Sequence, residues 1–240
     1  NKLVGHLRST AKQPLRLKGF KKEEMKFIGI SDAGGVDGDI RGLDKMGLPE
    51  DPVQGAWIVL ASDLLPAHDL KINVSVLSWR SSKLKRRVTS TMAGETVSMS
   101  QCIGEVEWMQ IFYRDLMFGD VKVQEWHHSL SPYLIYLPEE CELVARQEQC
   151  QITDAKSLYD AIFKQCPASR QDRRTALELA VIVDSVQKAG SEIRWTPHQR
   201  MPVDMLTKVD FSKTNGTLLH LLKTGQLRID KEDAEMMRRK

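Results

Sequence analysis

Long apolar runs are missing from this chain. No stretch approaches the roughly 18 apolar residues that a membrane span needs, and the opening Asn1-Lys2-Leu3 is no signal peptide. Cysteine is scarce too. Cys102, Cys141, Cys150 and Cys166 form no CxxC pair and are too widely spaced for a disulfide framework, which favours a reduced, intracellular setting. His127, His128, Cys141 and Cys150 match no common zinc spacing. Charge of one sign is also lacking. The 35 Lys and Arg against 32 Asp and Glu leave a formal +3, so any affinity for nucleic acid rests on where the basic residues lie. There is no internal repeat or low-complexity tract. What remains is 240 residues, 41% hydrophobic and 28% charged, an ordinary globular composition. That is enough for one domain with extensions, stable without disulfides or a structural metal. A start without Met and an end in Arg238-Arg239-Lys240 fit a piece of a longer chain.

The periodicity divides the chain. Residues 1–25 are rich in Lys and Arg, with at most a short helix. Phe27 to Asp32 reads as a buried strand ending at an acid before the Gly34-Gly35 breaker. Residues 36–54 are a loop; Gly55–Ala61 and Asn73–Trp79 are two further strands, which suggests an antiparallel meander. From Ser90 to Met117 the period changes. Met92, Met99, Cys102, Val106, Met109, Tyr113 and Leu116 fall on one face of a long helix. Residues 118–147 are irregular. A short strand over Gln149–Thr153 ends at Asp154, and helices follow over Ala155–Gln165 and Asp172–Lys188, the second closed by Gly190. Glu192–Thr196 is a last strand, and Pro202 opens a short helix through Lys208. A Leu-rich patch and a charged tail complete the chain. The order predicts an α/β fold, a mixed sheet flanked by helices, with ligand chemistry beyond the carboxyl ends of its central strands.

Four acids are candidates. Asp32 and Asp154 lie at such strand ends, although a turn acid and an N-cap are the ordinary roles for these positions. Asp204 is in a first helical turn, where an acid also complements the helix dipole. Glu95 is different: it lies on the apolar stripe, and with Met92 three residues before it no capping box explains it. A carboxylate on a buried face needs a cation, a proton or a hydrogen-bond partner. Hard oxygen ligands without a His or Cys cluster point to Mg²⁺ or Mn²⁺.

These residues also carry a resemblance. The stretch Ser78-Trp79-Arg80-Ser81-Ser82-Lys83 through Met92-Ala93-Gly94-Glu95 resembles the "SWKSKKQ…VALSTTEAE" segment of the ribonuclease H domain of copia-type retrotransposon reverse transcriptases. Glu105 to Leu116 is similar to that family's "E…WLR.LL" helix, Ser31-Asp32-Ala33 to its "SDA", and Ile152-Thr153-Asp154 to its "YTD". Trp195 through Val203-Asp204-Met205-Leu206-Thr207-Lys208 resembles its closing "AD.LTK", and Leu3 to Thr10 the link from polymerase to nuclease. The likeness runs over about residues 3–208. It departs at Gly34-Gly35-Val36, where the family has a Trp, at Ala155, where it has Asn, and at Arg173–Glu178, which lacks its His. The loops at 36–54 and 118–147 are longer than the family's.

The resemblance implies a ribonuclease H-like fold, a five-stranded sheet with three antiparallel strands and then parallel ones. It divides the chain into a polymerase linker over 1–25, the nuclease over 26–210 and an extension over 211–240. It implies an endonuclease that cuts the RNA strand of RNA–DNA hybrids within a reverse transcriptase polyprotein, in cytoplasm, nucleus or virus-like particles. Asp32, Glu95, Asp154 and Asp204 would hold two Mg²⁺ or Mn²⁺, with Asp32 shared and Glu95 placed to sense the adjacent 2′-hydroxyl that marks RNA. His198 either moves a proton or assists product release, or is an exposed loop histidine. Lys83, Lys85, Arg86 and Arg87 lead into the Glu95 helix; such a run is usually a solvated face, but this position favours phosphate contact. Trp79 is expected in the core, with stacking on substrate the lesser option. The alternative is a weakened module of the same fold that only binds hybrid beside a polymerase. A related DNA-cutting integrase fits less well, since it requires an Asp-Asp-Glu order.

Overall fold

The computed structural model describes residues 15–21, 24–34, 53–67, 69–85, 88, 90–118, 148–164, 173–208 and 216–229. The loops at 36–52 and 119–147, Arg86, Arg87, His127, His128, Cys141 and Cys166 therefore lie outside the described residues. The strands are β1 (Lys26–Gly34), β2 (Gln54–Ser62), β3 (Lys71–Lys83), β4 (Gln149–Thr153), β5 (Glu192–Trp195) and β6 (Gln226–Arg228). The helices are α1 (Thr91–Phe118), α2 (Lys156–Lys164), α3 (Arg173–Ala189), α4 (Asp204–Thr207) and α5 (Thr217–Thr224). A 3₁₀ turn at His198–Arg200 precedes α4. No helix among the described residues is long and apolar enough to cross a membrane.

The strands form one mixed sheet in the order β5-β4-β1-β2-β3-β6. β1, β2 and β3 are an antiparallel meander, whereas β4 joins β1 in parallel and β5 joins β4 in parallel. This is the architecture expected above, a ribonuclease H-like mixed sheet flanked by helices, with one correction: the sheet has six strands rather than five. β6 pairs antiparallel with Lys71, Ile72 and Asn73 of β3. A three-residue strand, Gln226-Leu227-Arg228, is too short to show an alternation that periodicity can detect.

Central strands covered on both faces read as continuous apolar runs, which is why β1 and β2 are buried almost throughout. Successive side chains of β1 divide between the faces. Phe27 joins Trp57, Val59, Cys102, Val106 and Tyr113 beneath α1. Ile28 and Ile30 join Ile58, Leu60, Met201, Val203 and Leu218 on the other side. Leu218 and Leu221 of the Leu-rich patch, with Leu227 and Ile229, belong to that second cluster, so residues 217–229 are built into the sheet and its core. The segment before β1 is pinned there as well: Arg16 N–H donates to Leu222 O (3.0 Å) and Lys18 N–H to Ser75 Oγ (2.6 Å).

Three local expectations need revision. Leu116, the last member of the apolar stripe, is 67% exposed. At 28 residues α1 is about 42 Å long, longer than the roughly 30 Å of a nine-residue strand, so its final turns overrun the sheet. Trp79 is 63% exposed and not in the core. The β2–β3 register shifts between Val59 and Leu60, which leaves Leu77 as an extra residue on β3. Such a bulge bends the strand and increases its twist, and beyond it Trp79, Arg80, Ser81 and Lys83 are exposed. Finally, the short helix starts at Asp204, after a turn at Pro202-Val203. By contrast Gly190 closes α3 in the left-handed region (φ 61°) as its position suggested.

Candidate metal centre

Strand register brings the first two acids together. β1 and β4 are parallel, with Ile30 opposite Ile152. Asp32 and Asp154 each follow two residues later, so both carboxylates reach the same level at the carboxyl end of the sheet. β5 fixes the second of them, because the Trp195 indole Nε1–H donates to Asp154 O at 2.9 Å.

Glu95 arrives from the helix layer. Ser90 Oγ accepts from Ala93 N–H (3.1 Å), an N-terminal cap that sets where α1 begins. One turn on, Ser98 Oγ donates to Asp32 O (2.8 Å) and is also within 3.0 Å of Ala56 O. Glu95 and Ser98 share a helix face at i, i+3. The serine therefore holds the glutamate against the strand residue that bears Asp32. One carboxylate oxygen each from Asp32, Glu95 and Asp154 lies within 4.8 Å of the others. Asp32 and Glu95 are both 4% exposed.

Asp204 is 3% exposed and stands beside this trio, joined to it by other side chains. Thr207 Oγ1 donates to Asp32 Oδ2 at 2.5 Å and lies 3.2 Å from Asp204 O. His198 spans the gap, with Nδ1 2.8 Å from Asp154 Oδ2 and Nε2 3.3 Å from Asp204 Oδ1. Lys208 Nζ lies 2.8 Å from Asp204 Oδ1, 2.9 Å from its Oδ2 and 2.7 Å from His198 Nε2. His198 is thus part of the network, not a free loop histidine. Gly34 makes the close approach of α4 possible, since a Cβ there would stand 2.8 Å from Thr207 Cβ and 3.0 Å from Thr207 O.

The electrostatics follow from this crowding. Burial pushes the Asp32 carboxyl up from 3.8 to about 6, and the charge of Asp154 adds to the shift; the Thr207 hydrogen bond opposes it. His198 is raised, mainly by its hydrogen bond to Asp154, against the effect of its own burial. Its two Nε2 contacts need different states: a neutral ring accepts from Lys208, and a charged ring donates to Asp204.

A buried carboxylate such as Asp32, raised further by the acids beside it, is short of positive charge, and a divalent ion would supply it. The donor set is carboxylate oxygen only, which suits Mg²⁺ or Mn²⁺ better than zinc. Among the described residues a cavity of about 370 Å³ between α2, α3 and β5 is lined by Ile162, Phe163, Val183 and Ile193. It shares no residue with the acids.

The basic run is described in part. Lys83 and Lys85 are exposed, while Leu84 and Val88 between and after them pack on Ala93 and Val97 of α1. The run is therefore anchored beside the first turns of the Glu95 helix. Sequence reasoning missed Ser98, Thr207 and Lys208. The last two lie at i+3 and i+4 from Asp204, inside the closing motif quoted above, so the spacing was the available signal.

No family model and no curated protein matches the chain. Solved structures do resemble it. Ribonuclease H1 of the archaeon Halobacterium salinarum is 10% identical, covering 81% of this chain and 98% of that one, with a TM-score of 0.42. The N-terminal ribonuclease H domain of a Mycobacterium tuberculosis protein is 12% identical over 76% and 91%, TM-score 0.44. Prototype foamy virus protease-reverse transcriptase is 12% identical over 92% of this chain and 23% of that one, TM-score 0.36.

Proposed function

We propose that this chain is a ribonuclease H-type endonuclease that hydrolyses the RNA strand of RNA–DNA hybrids, part of a copia-type retrotransposon reverse transcriptase polyprotein. One observation carries the chemistry: carboxylates from a strand, a helix and a second strand end, far apart in sequence, meet within 4.8 Å. Asp32, Glu95 and Asp154 would hold a first divalent ion, and Asp204 would contribute to a second; ions bound there would supply activation of a water and stabilisation of the leaving 3′-oxygen.

The chain's own residues prepare that chemistry. Thr207 holds the Asp32 carboxylate in one orientation through its Oδ2. His198, with one ring nitrogen on Asp154 and the other facing Asp204, holds a proton between the two acids and can pass it on at Nε2. Lys83 and Lys85, with Arg86 and Arg87 next in sequence, take phosphates and so position the duplex. The wider context rests on the motif resemblance: a polymerase domain in the same polyprotein as partner, and an intracellular site, with which the free thiols of the buried Cys102 and Cys150 agree.

Labelled RNA–DNA hybrid incubated with the chain and Mg²⁺ or Mn²⁺ tests the reading, with duplex DNA and duplex RNA as controls. Cleavage of only the RNA strand of the hybrid, abolished by chelator, is expected. Metal-dependent cutting of duplex DNA instead would overturn it, and tight hybrid binding without cleavage would favour the binding-only module.

A further inference from the structure

The four acids are not equivalent in how their charge is met. Asp32 receives a neutral hydroxyl, that of Thr207. Asp154 receives an imidazole nitrogen of His198. Of these three, Asp204 faces an ammonium at short range, with Lys208 Nζ 2.8 Å from Oδ1 and 2.9 Å from Oδ2. Because its carboxylate is nearly fully buried, this contact differs from a solvated i, i+4 surface pair, which contributes little. A buried charge is strongly disfavoured without a partner.

A hard divalent ion would seek the oxygens beside which Lys208 now stands, Oδ2, to which it donates, and Oδ1, which is buried without a hydrogen bond. Lysine presents a compact positive charge on a flexible four-carbon stem. Its side chain is 34% exposed, so the stem has a route to solvent. The ammonium also touches His198 Nε2 at 2.7 Å. That nitrogen is also the one facing Asp204, 3.3 Å from its Oδ1, so Lys208 and Asp204 share it.

We propose that Lys208 is a tethered cation standing in the place of a second divalent ion beside Asp204, so that the chain takes one ion readily and a second only by displacing Lys208. This rests on the metal-centre reading above. It makes Lys208 a positioning residue that sets the order of ion binding. The first ion meets the trio of Asp32, Glu95 and Asp154, whose oxygens lie within 4.8 Å of one another; the second competes with a charge built into the chain. It also frees His198 Nε2 to face Asp204 once Lys208 has left.

Calorimetric titration of the full chain with MnCl₂, without nucleic acid, tests this. Wild type should bind one ion, and a second about tenfold or more weakly, while Lys208→Met should tighten the second by about tenfold, about 1.4 kcal/mol, and leave the first unchanged. Thermal melting supplies the second readout. In chelator Lys208→Met should melt below wild type, because Asp204 loses its partner, and Mn²⁺ should raise its Tm by more than it raises that of wild type. If the Met variant does not fold, Lys208→Gln keeps a hydrogen-bond donor without the charge and should show the same tightening. If Lys208 serves only to neutralise Asp204, both variants will melt lower with and without Mn²⁺ alike, and the second ion's affinity will not rise; that overturns the inference and leaves the metal centre intact. If wild type and both variants bind no Mn²⁺, the metal-centre reading fails, and the inference with it.

Discussion

Asp32→Asn removes one charge from the middle of the acid cluster and keeps the side chain's shape. In the ion-free protein the Asp32 carboxyl is raised from 3.8 to about 6. Two units at about 1.4 kcal/mol each put the cost of ionising it in the fold near 3 kcal/mol. A carboxyl raised in the native state means that the native state binds the proton more tightly than the unfolded chain does. The favourable contribution is then complete below the unfolded value of 3.8 and is lost as pH rises through about 6. In chelator, wild type should lose up to about 3 kcal/mol over that window, whereas Asp32→Asn should not. Urea unfolding at low and neutral pH measures the difference, and Asn retains an oxygen that can accept from Thr207. At neutral pH the variant should be the more stable of the two in chelator. Saturating Mg²⁺ should reverse the order, because only wild type gains the binding free energy, and hybrid cleavage should be lost. An Asp32→Asn protein no more stable than wild type in chelator, with a parallel pH profile, would refute the argument that these carboxylates are crowded for want of a cation.

Three further outcomes are expected. Gly34→Ala puts a Cβ against the Thr207 backbone and side chain, which sit at 2.8 to 3.0 Å from it; it should cost roughly 1–3 kcal/mol in unfolding experiments and depress cleavage, and wild-type activity would show that the contact with α4 has no bearing on Asp32. Glu107, raised by burial against a hydrogen bond from Ser185, is favoured in its protonated form, so its contribution is present at acid pH and fades as pH rises through its folded value. Glu107→Gln should therefore raise Tm at neutral pH and not at acid pH, and an equal shift at both would contradict this. Lys83→Gln with Lys85→Gln should lower the slope of log affinity against log salt by about one unit per lost phosphate contact, with little change in turnover at saturating hybrid; an unchanged slope in filter-binding assays would assign the pair to a solvated face.

Much of this was legible in one dimension because the signals are local. An apolar run ending in an acid marked Asp32, and the same pattern marked Asp154; the parallel β1–β4 pairing that brings them level is seen only in the structure. Glu95 stood out because a carboxylate on an apolar stripe conflicts with its surroundings, and the structure buries it. What was hidden depends on partners distant in sequence. Trp79 sits in a good alternation, yet a register shift against β2 leaves it exposed. β6 has three residues and acquires its meaning only beside Lys71–Asn73. Thr207 reads as a helix-end threonine until Asp32, 175 residues earlier, is placed against it.

That separation has a consequence for when the centre exists during synthesis. Asp32 and Glu95 emerge early, and β1 to β3 can pair through connections that are local in sequence, 35–53 and 63–70. Asp154 must then insert on the far side of β1, and Thr207 must return across most of the chain to reach Asp32. Closing loops of that length carries an entropic cost that later packing has to offset, and domains rich in such distant contacts fold slowly. A ribosome-bound chain that stops between residues 154 and 204 holds Asp32, Glu95 and Asp154 but neither Thr207 nor the Asp204–Lys208 pair. The complete network thus arrives last, after nearly all of residues 26–208 have been translated, and a truncated or half-folded product lacks it.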